Sequence, residues 1–150
     1  MRRKDRKITT EEAFEILKNA EYGVLSMVSH ENIPYSIPLN FCIIENEIYF
    51  HCAVEGQKID YIANNNSVSF CVVGHTELLP EKFSAIFEST IVSGTIHESF
   101  GEEKQRGLEA LIKKYSPTFI EKGIKYIEKE IGITKVFKIK IEKITGKARR

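Results

Sequence analysis

The sequence predicts a mainly β domain, an antiparallel β-barrel of about six strands with α-helices packed against it. Three observations lead to this fold class. Segments rich in β-branched and aromatic residues alternate with short polar turns. The first three of these segments are joined by turns that are too short for parallel crossovers. A barrel that closes, or nearly closes, also removes the edges that an open sheet would expose.

A single domain is expected from the length of 150 residues. Hydrophobic residues make up 42% and charged residues 29% of the chain, as in ordinary globular proteins. The net charge of +1 gives no overall attraction to nucleic acid or to an anionic membrane. Residues 1–7, MRRKDRK, form a basic N-terminal tail, which we interpret as a solvated end rather than as an arm for nucleic acid.

A capping box marks the first helix. Thr9 and Glu12 have the spacing that it requires, Ile8 and Ala13 can pack as a hydrophobic staple, and the helix should end near residues 19–21. Strands are predicted next, at residues 22–29, 35–44 and 47–53. Because the turns between them are short, neighbouring strands should pair as antiparallel hairpins.

The second half of the chain begins with a short helix over residues 57–64. Strands are predicted at residues 67–73 and 83–99, with a surface loop between them and a bulge or bend at Gly94. Helical spacing of apolar residues then predicts a third helix through Leu108 and Tyr115.

A fourth helix is predicted after Pro117, and Gly123 weakens the case for its continuity. Strict alternation over residues 135–144 predicts the last strand.

The cysteines are odd in number, form no CxxC pair and lie in apolar runs: Cys42, Cys52 and Cys71. We interpret them as buried, reduced thiols. No apolar segment follows the basic start, and none is long enough to span a bilayer. We therefore expect no membrane association and a cytoplasmic location.

Familiar catalytic motifs such as GxSxG, HExxH, GxxxxGK[ST] and GxGxxG are missing. The four histidines have no paired spacing, so no metal site is predicted. The stretch YFHCAVEGQKIDYI, residues 49–62, is the best local candidate for a binding site.

In this stretch a strand ends at Ala53 and a helix begins near Gln57, which places free backbone N–H groups at one point. Gly56 allows close approach of a ligand, and Lys58 supplies a charge suited to phosphate. The alternative is a polar turn with an exposed lysine. Likewise, His51 is either a ligand contact or a hydrogen-bonded residue of the sheet face.

Four stretches, in order and spacing, extend this interpretation: YSIPLNF, YFHCAVEGQKIDYI, FESTIVSGTI and ITGKARR. Together they resemble the nitroimidazole-resistance (Nim-like) branch of the pyridoxamine 5'-phosphate oxidase-like superfamily. The resemblance implies a six-stranded split β-barrel with flanking helices. It also implies a homodimer that binds flavin mononucleotide (FMN) at the subunit interface.

The resemblance places one strand beside the isoalloxazine ring, formed by Ser36, Ile37, Pro38, Leu39 and Asn40. It brings His51, Cys52 and Ala53 to the ribityl chain and ring edge, and Gln57 and Lys58 to the phosphate. From the facing subunit it brings Glu88, Ser89 and, near the C-terminus, Lys147 or Arg149. Glu88 could equally be a surface residue, and Lys147 and Arg149 could belong to a mobile tail.

The resulting expectation is a flavin-dependent oxidoreductase that passes electrons from NAD(P)H or another reductant to a small aromatic or quinone-like acceptor. His51 is the candidate catalytic residue, since an unperturbed histidine titrates near neutral pH. The alternatives are a flavin-binding or storage protein without turnover, and a relative that binds haem or the deazaflavin F420. Binding of nucleic acid is disfavoured, because residues 22–53 contain no Lys or Arg.

Overall fold

Seven strands form one antiparallel sheet in the computed structural model, which describes residues 1–150. The strands are β1 (Gly23–Val28), β2 (Pro34–Leu39), β3 (Cys42–Ile44), β4 (Glu47–Ala53), β5 (Ser67–Leu79), β6 (Ser84–Ser99) and β7 (Thr134–Arg149). Their order in the sheet is β2-β1-β5-β6-β7-β4-β3. The predicted mainly β architecture with antiparallel neighbours is confirmed.

The predicted number of six strands is wrong, because the segment 35–44 forms two strands. The chain leaves the sheet at Asn40 and Phe41, between β2 and β3. There the Phe41 N–H donates to the Tyr115 hydroxyl at 3.0 Å, and the Phe41 carbonyl oxygen lies 3.1 Å from the same hydroxyl. β2 and β3 are the two edges of the sheet and do not pair, so the barrel is split rather than closed.

All four predicted helices are present. They are α1 (Thr10–Asn19), α2 (Gln57–Asn64), α3 (Gly101–Tyr115) and α4 (Ile120–Glu130). Single 3₁₀ turns occur at Lys4–Arg6, Pro80–Lys82 and Ile131–Ile133. Gly123 does not interrupt α4. A side chain at this position would collide with Ile112 of α3, so glycine allows the two helices to pack closely.

The start of α1 has the predicted capping box. The Glu12 N–H donates to Thr9 Oγ1 at 3.1 Å, and the Thr9 N–H donates to a Glu12 carboxylate oxygen at 2.9 Å. Ile8 and Ala13 both pack over Gly146 of β7, where a Cβ atom would lie 2.6 Å from Ile8 and 2.8 Å from Ala13. These contacts fix α1 against the C-terminal part of β7.

β5 and β7 are longer than the sequence predicts. Residues 74–79, expected in a surface loop, continue β5 after a register shift between Val73 and Thr76. β7 runs on to Arg149, so the last residues form a paired strand and not a mobile tail. The irregularity predicted at Gly94 is present, as a register shift between Ser93 and Gly94 in the pairing of β6 with β7.

Two apolar clusters lie on opposite faces of β4. Ile48 and Phe50 belong to the main core, which α1 and α2 cover. Tyr49 belongs to a second cluster, formed with residues of α3 and α4 such as Leu108 and Ile127. Side chains alternate along a strand, so His51 points to the same side as Tyr49, toward α3 and α4.

The three cysteines are free; Cys42 and Cys52 are buried, as predicted, whereas Cys71 is only half-buried. Burial raises the pKa of the Cys42 thiol to about 12, so it stays protonated. None of the helices combines the length and the apolar character needed to cross a lipid bilayer.

Candidate functional site

The turn between β4 and α2 has a backbone shape that favours glycine. Gly56 caps α2 with φ 143° and ψ 170°, a region that side-chain-bearing residues rarely adopt. The N–H groups of Ile59 and Asp60 bond to the Gly56 carbonyl at 3.0 and 3.3 Å. The N–H groups of Gln57 and Lys58 come earlier and have no carbonyl in the helix to bond. The first turn of α2 therefore presents two free donors.

Lys58 adds an uncompensated positive charge to this turn. Its side chain is half-buried, and it takes part in none of the ion pairs of the chain. The free N–H groups, the positive end of the helix dipole and the lysine together form a site of the kind that binds phosphate groups.

His51 and Cys52, at the end of β4, lie close enough to Lys58 for its positive charge to affect their pKa values. The His51 side chain is exposed, but the side chains packed around it partly desolvate its ring, and this desolvation, with a smaller contribution from the charge of Lys58, lowers the pKa of His51 below its ordinary value of 6.5. His51 is therefore neutral at pH 7, and its ring can both donate and accept a hydrogen bond. Burial raises the pKa of the Cys52 thiol, so this residue is not an activated nucleophile.

A small cavity lies beside His51, between β4 and the two long helices. Its volume is about 110 Å³. Polar groups are supplied by His51, Glu130 and Thr134, and the remaining lining is apolar or aromatic: Leu108, Leu111, Ile112, Tyr126, Ile127 and Ile131. The Thr134 hydroxyl is already used, since it donates to the Glu130 carbonyl at 2.8 Å. The space can hold one small ring.

The edge strand β2 presents alternate residues to solvent. Ser36 and Pro38, and Asn40 just after the strand, are exposed, whereas Ile37 and Leu39 are half-buried and pack against the main core. Pro38 lies on an edge strand, the position that its missing N–H predicts.

An aromatic contact ties β2 to α2. Tyr61 packs edge-on against Tyr35, with ring centroids 5.4 Å apart and an interplanar angle of 80°. The amide nitrogen of Gln57 lies 3.5 Å from the Tyr61 hydroxyl. The predicted ring-binding strand and the predicted phosphate turn are thus held together by packing within one chain.

The residues predicted from the facing subunit lie elsewhere. On β7, Ala53 pairs with Thr134 and Ser89 pairs with Lys147. Lys147 comes 13 residues after Thr134 on that strand. At about 3.3 Å per residue this corresponds to about 40 Å along the strand. One chain therefore does not unite Ser89 and Lys147 with the turn at the end of β4.

Glu88 and Ser89 point to opposite faces of β6, because side chains alternate. Glu88 accepts a hydrogen bond from the His75 N–H at 3.3 Å and lies 3.9 Å from a guanidinium nitrogen of Arg150. Its charge is balanced within the chain. Ser89 and Lys147 lie on the other face of the sheet.

That second face, called the outer face below, has an apolar row across four strands, exposed at Pro38 and Ile91 and half-buried between them. Pairings between the strands align Pro38, Val24, Cys71 and Ile91. Ile91 is 50% exposed and its neighbour Val73 is 58% exposed. Sequence analysis did not predict this surface, although the outward residues of the strands are apolar or small. Exposed apolar patches of this kind mark interfaces.

The sequence matches one protein family over almost its whole length. A model of the pyridoxamine 5'-phosphate oxidase family matches residues 9–148. The chain belongs to this family. The match confirms the resemblance recognised in the sequence, and it extends from the capping residue of α1 almost to the end of β7. Among curated protein sequences, none matches the chain.

Solved structures with the same fold include proteins of several bacteria. A Bacteroides thetaiotaomicron protein assigned to 5-nitroimidazole antibiotic resistance has a TM-score of 0.76 and 23% identity, over 95% of this chain and 86% of its own. A conserved hypothetical protein of Mycobacterium tuberculosis has a TM-score of 0.85 and 13% identity, over 99% and 89%.

A third structure is the FAD and haem binding protein of Mycobacterium smegmatis, with a TM-score of 0.75 and 17% identity, over 97% of this chain and 74% of its own. At these identities the likeness to solved structures concerns the fold.

Proposed function

We propose that the protein is an FMN-dependent oxidoreductase, which uses NAD(P)H or a similar reductant to reduce a small aromatic or quinone-like acceptor. The observation that carries the proposal is the turn at Gly56. It combines two free N–H groups with the unpaired charge of Lys58 at the end of a strand that also bears His51. Membership of the pyridoxamine 5'-phosphate oxidase family supports a flavin as the group bound there.

The residues fit the phosphate end of FMN. A phosphate monoester carries close to two negative charges and three acceptor oxygens. The N–H groups of Gln57 and Lys58 and the Lys58 ammonium would donate to these oxygens. No carboxylate forms an ion pair with Lys58, so no internal partner has to be displaced. In this proposal Glu55 stays exposed and turned away from the phosphate.

The flavin ring requires a flat surface and polar groups for its nitrogen and carbonyl edge. In our proposal the surface is β2 with the residue that follows it, where Ser36, Pro38 and Asn40 are exposed. Pro38 brings no N–H, and the Asn40 amide can donate and accept. The backbone of residues 51–53 would approach the ring from β4. When bound, FMN would supply the electron-transfer chemistry.

The cavity beside His51 suits the acceptor. Its mainly apolar lining and its volume of about 110 Å³ admit a small aromatic ring and little more. Neutral His51 can donate a proton to a reduced acceptor or orient it by a hydrogen bond. The apolar side chains of α3 and α4 would exclude water from this end of the site.

A homodimer is part of the proposal. The outer face exposes Ile91 and Val73, and it continues to Ser89 and Lys147. A two-fold dimer through this face would bury the apolar row. It would also bring Ser89 and Lys147 of one subunit toward the cleft of the other, which one chain alone cannot do. Free cysteines support the proposed cytoplasmic location.

The proposal is tested by purifying the protein, releasing any bound cofactor by heat and identifying it by chromatography. We expect FMN, and we expect NAD(P)H to reduce it and a nitroaromatic or quinone to reoxidise it. A protein that contains no flavin and takes up none on addition of FMN would contradict the proposal. Bound FMN that NAD(P)H fails to reduce would indicate a storage protein instead.

Haem is the second candidate ligand, because a structural neighbour binds both FAD and haem. His51 is the residue of the site that could ligate the iron. A Soret band in the purified protein, lost in His51→Gln, would favour this ligand. F420 is distinguished in the same experiment by its own absorption spectrum.

A further inference from the structure

The cavity beside His51 contains a carboxylate that has no cationic partner. Glu130, the last residue of α4, lines this cavity with a half-buried side chain. The carboxylate takes part in none of the ion pairs of the chain. A charged group beside a mainly apolar lining loses part of its hydration, so a cation inside the cavity would stabilise it.

The neighbouring elements supply no such cation. The residues three and four positions before Glu130, which share its helix face, are Ile127 and Tyr126. Lys104 of α3 approaches the same end of α4, but its ammonium group donates to the Ile131 carbonyl at 2.8 Å and forms no ion pair. The Glu130 carboxylate is therefore available to a group from outside the chain.

Tyr126 adds a second group that binds cations. It lies one helical turn before Glu130 and lines the same cavity. Tyr126 is 63% exposed, so this end of the cavity is open to solvent. The negative face of an aromatic ring attracts an ammonium group. A tyrosine ring beside an unpaired carboxylate therefore suits an organic cation better than it suits a neutral or anionic group.

Pairing between β4 and β7 fixes these groups relative to His51. The Thr134 hydroxyl holds the Glu130 carbonyl at 2.8 Å, and Thr134 pairs with Ala53, two residues after His51. His51 has a lowered pKa and is neutral, so it does not repel a cation in the cavity. The charge of Lys58 would be neutralised by the phosphate that we propose for the turn at the start of α2.

We propose that Glu130 and Tyr126 bind a cationic group of the aromatic acceptor whose ring fills the cavity, so that the protein selects acceptors that carry an ammonium or a similar organic cation. The inference rests on the proposed function, because that function places the acceptor in this cavity. It assigns specificity to Glu130 and leaves the proton donation to His51. A neutral ring in the cavity would leave the Glu130 carboxylate without a partner.

The test compares two small rings of matched size: benzylamine, which is protonated near neutral pH, and benzyl alcohol, which is neutral. NMR titrations of the full chain, followed at the backbone amides of residues 126–134, give both dissociation constants. We expect the wild type to bind the benzylammonium ion about ten-fold more tightly, as one charge-assisted contact allows. Glu130→Gln keeps the shape of the side chain and removes its charge, so it should lose this preference and bind the alcohol as before.

Glu128→Gln is the matched control. Glu128 is an exposed carboxylate of α4 that lies two residues before Glu130 and does not line the cavity. This variant should keep the wild-type preference. Tyr126→Leu should reduce the preference about two- to five-fold, because it removes the aromatic face. Equal affinity of the wild type for the two rings, binding of neither ring, or equal losses in Glu128→Gln and Glu130→Gln would overturn the proposal.

A kinetic measurement separates this inference from the proposed function. The acceptors are para-nitrobenzylamine and para-nitrobenzyl alcohol, used with the reductant that reduces the bound flavin. Glu130→Gln should raise the KM for the amine about ten-fold and leave the KM for the alcohol unchanged. If wild type and variant reduced both acceptors equally well, the proposed function would stand and the inference would fail. If the chain bound no flavin but bound benzylammonium through Glu130, the cation site would stand and the proposed function would fail.

Discussion

Replacing Gly56 with alanine should damage the turn between β4 and α2 without creating a clash. No atom lies within 4 Å of the place where a Cβ would be added, so the effect is purely one of backbone conformation. With φ 143° and ψ 170°, Gly56 occupies a region that is essentially limited to glycine. Holding alanine there costs about 1–3 kcal/mol.

The strain in Gly56→Ala would lower either the stability of the chain or its affinity for FMN, and both quantities can be measured. If the turn keeps its shape, the free energy of unfolding in urea falls by about 1–3 kcal/mol. If the turn relaxes, the free N–H groups at the start of α2 move, and FMN binding weakens by up to the equivalent factor, about five- to 150-fold. The loss of stability in urea and the loss of FMN affinity of the same variant should therefore together account for about 1–3 kcal/mol.

Gly132 provides the matched control. A Cβ added there also meets no atom within 4 Å, and Gly132 is not among the glycines with positive φ. Gly132→Ala should therefore change neither stability nor FMN binding appreciably. If Gly56→Ala were as stable as the wild type and bound FMN equally well, the argument from the backbone of this turn would be refuted.

Three further predictions concern other parts of the molecule. Tyr115→Phe removes the hydroxyl that bonds the backbone of Phe41, and urea unfolding should show a loss of about 1–3 kcal/mol; an unchanged midpoint would contradict this role. Gly146→Ala places a Cβ 2.6 Å from Ile8, and overpacking should cost about 1–3 kcal/mol in the same assay, whereas a neutral result would show that α1 can shift freely. The lowered pKa of His51 means that the unfolded chain binds a proton more readily, so stability should fall as pH drops below 6.5; His51→Gln should reduce that fall, and an identical pH dependence would refute the assignment.

The parts of the fold that local chemistry determines could be predicted from the sequence. The capping box at Thr9 and Glu12 and the bounds of α2 are confirmed, because a cap, a glycine and a periodic apolar face are all local signals. The break at Asn40 and Phe41 could not be predicted in this way. It depends on Tyr115, which is 74 residues away from Phe41 in the sequence.

Strand lengths were underestimated for a related reason. Residues 75–78 of β5 are exposed on both faces, so they lack the alternation by which a half-buried strand is recognised. The pairing of residues 76–78 with residues 85–87 is evident only once the hairpin is formed.

The candidate site was predicted in its local part and missed in its distant part. The turn at Gly56 and Lys58 lies within one short stretch, so its geometry follows from a strand, a glycine and a helix. The cavity beside His51 was missed because Leu111 and Tyr126 reach it from helices far along the chain. Lys7 forms an isolated antiparallel bridge with Lys147, a pairing between the two ends of the chain that no local signal shows, so Lys7 is not part of a solvated tail. By contrast, strand periodicity alone could have separated Glu88 from Ser89.

The central claim is that the turn at the start of α2 binds the phosphate of a flavin through Lys58. The most direct test is the ratio of FMN to riboflavin affinity, measured by fluorescence titration of the wild-type protein and of Lys58→Ala. We predict that the wild type prefers FMN and that Lys58→Ala loses about 1.5–3 kcal/mol of FMN binding while riboflavin binding is retained. Equal affinity of the wild type for the two flavins, or an unchanged ratio in Lys58→Ala, would contradict the account.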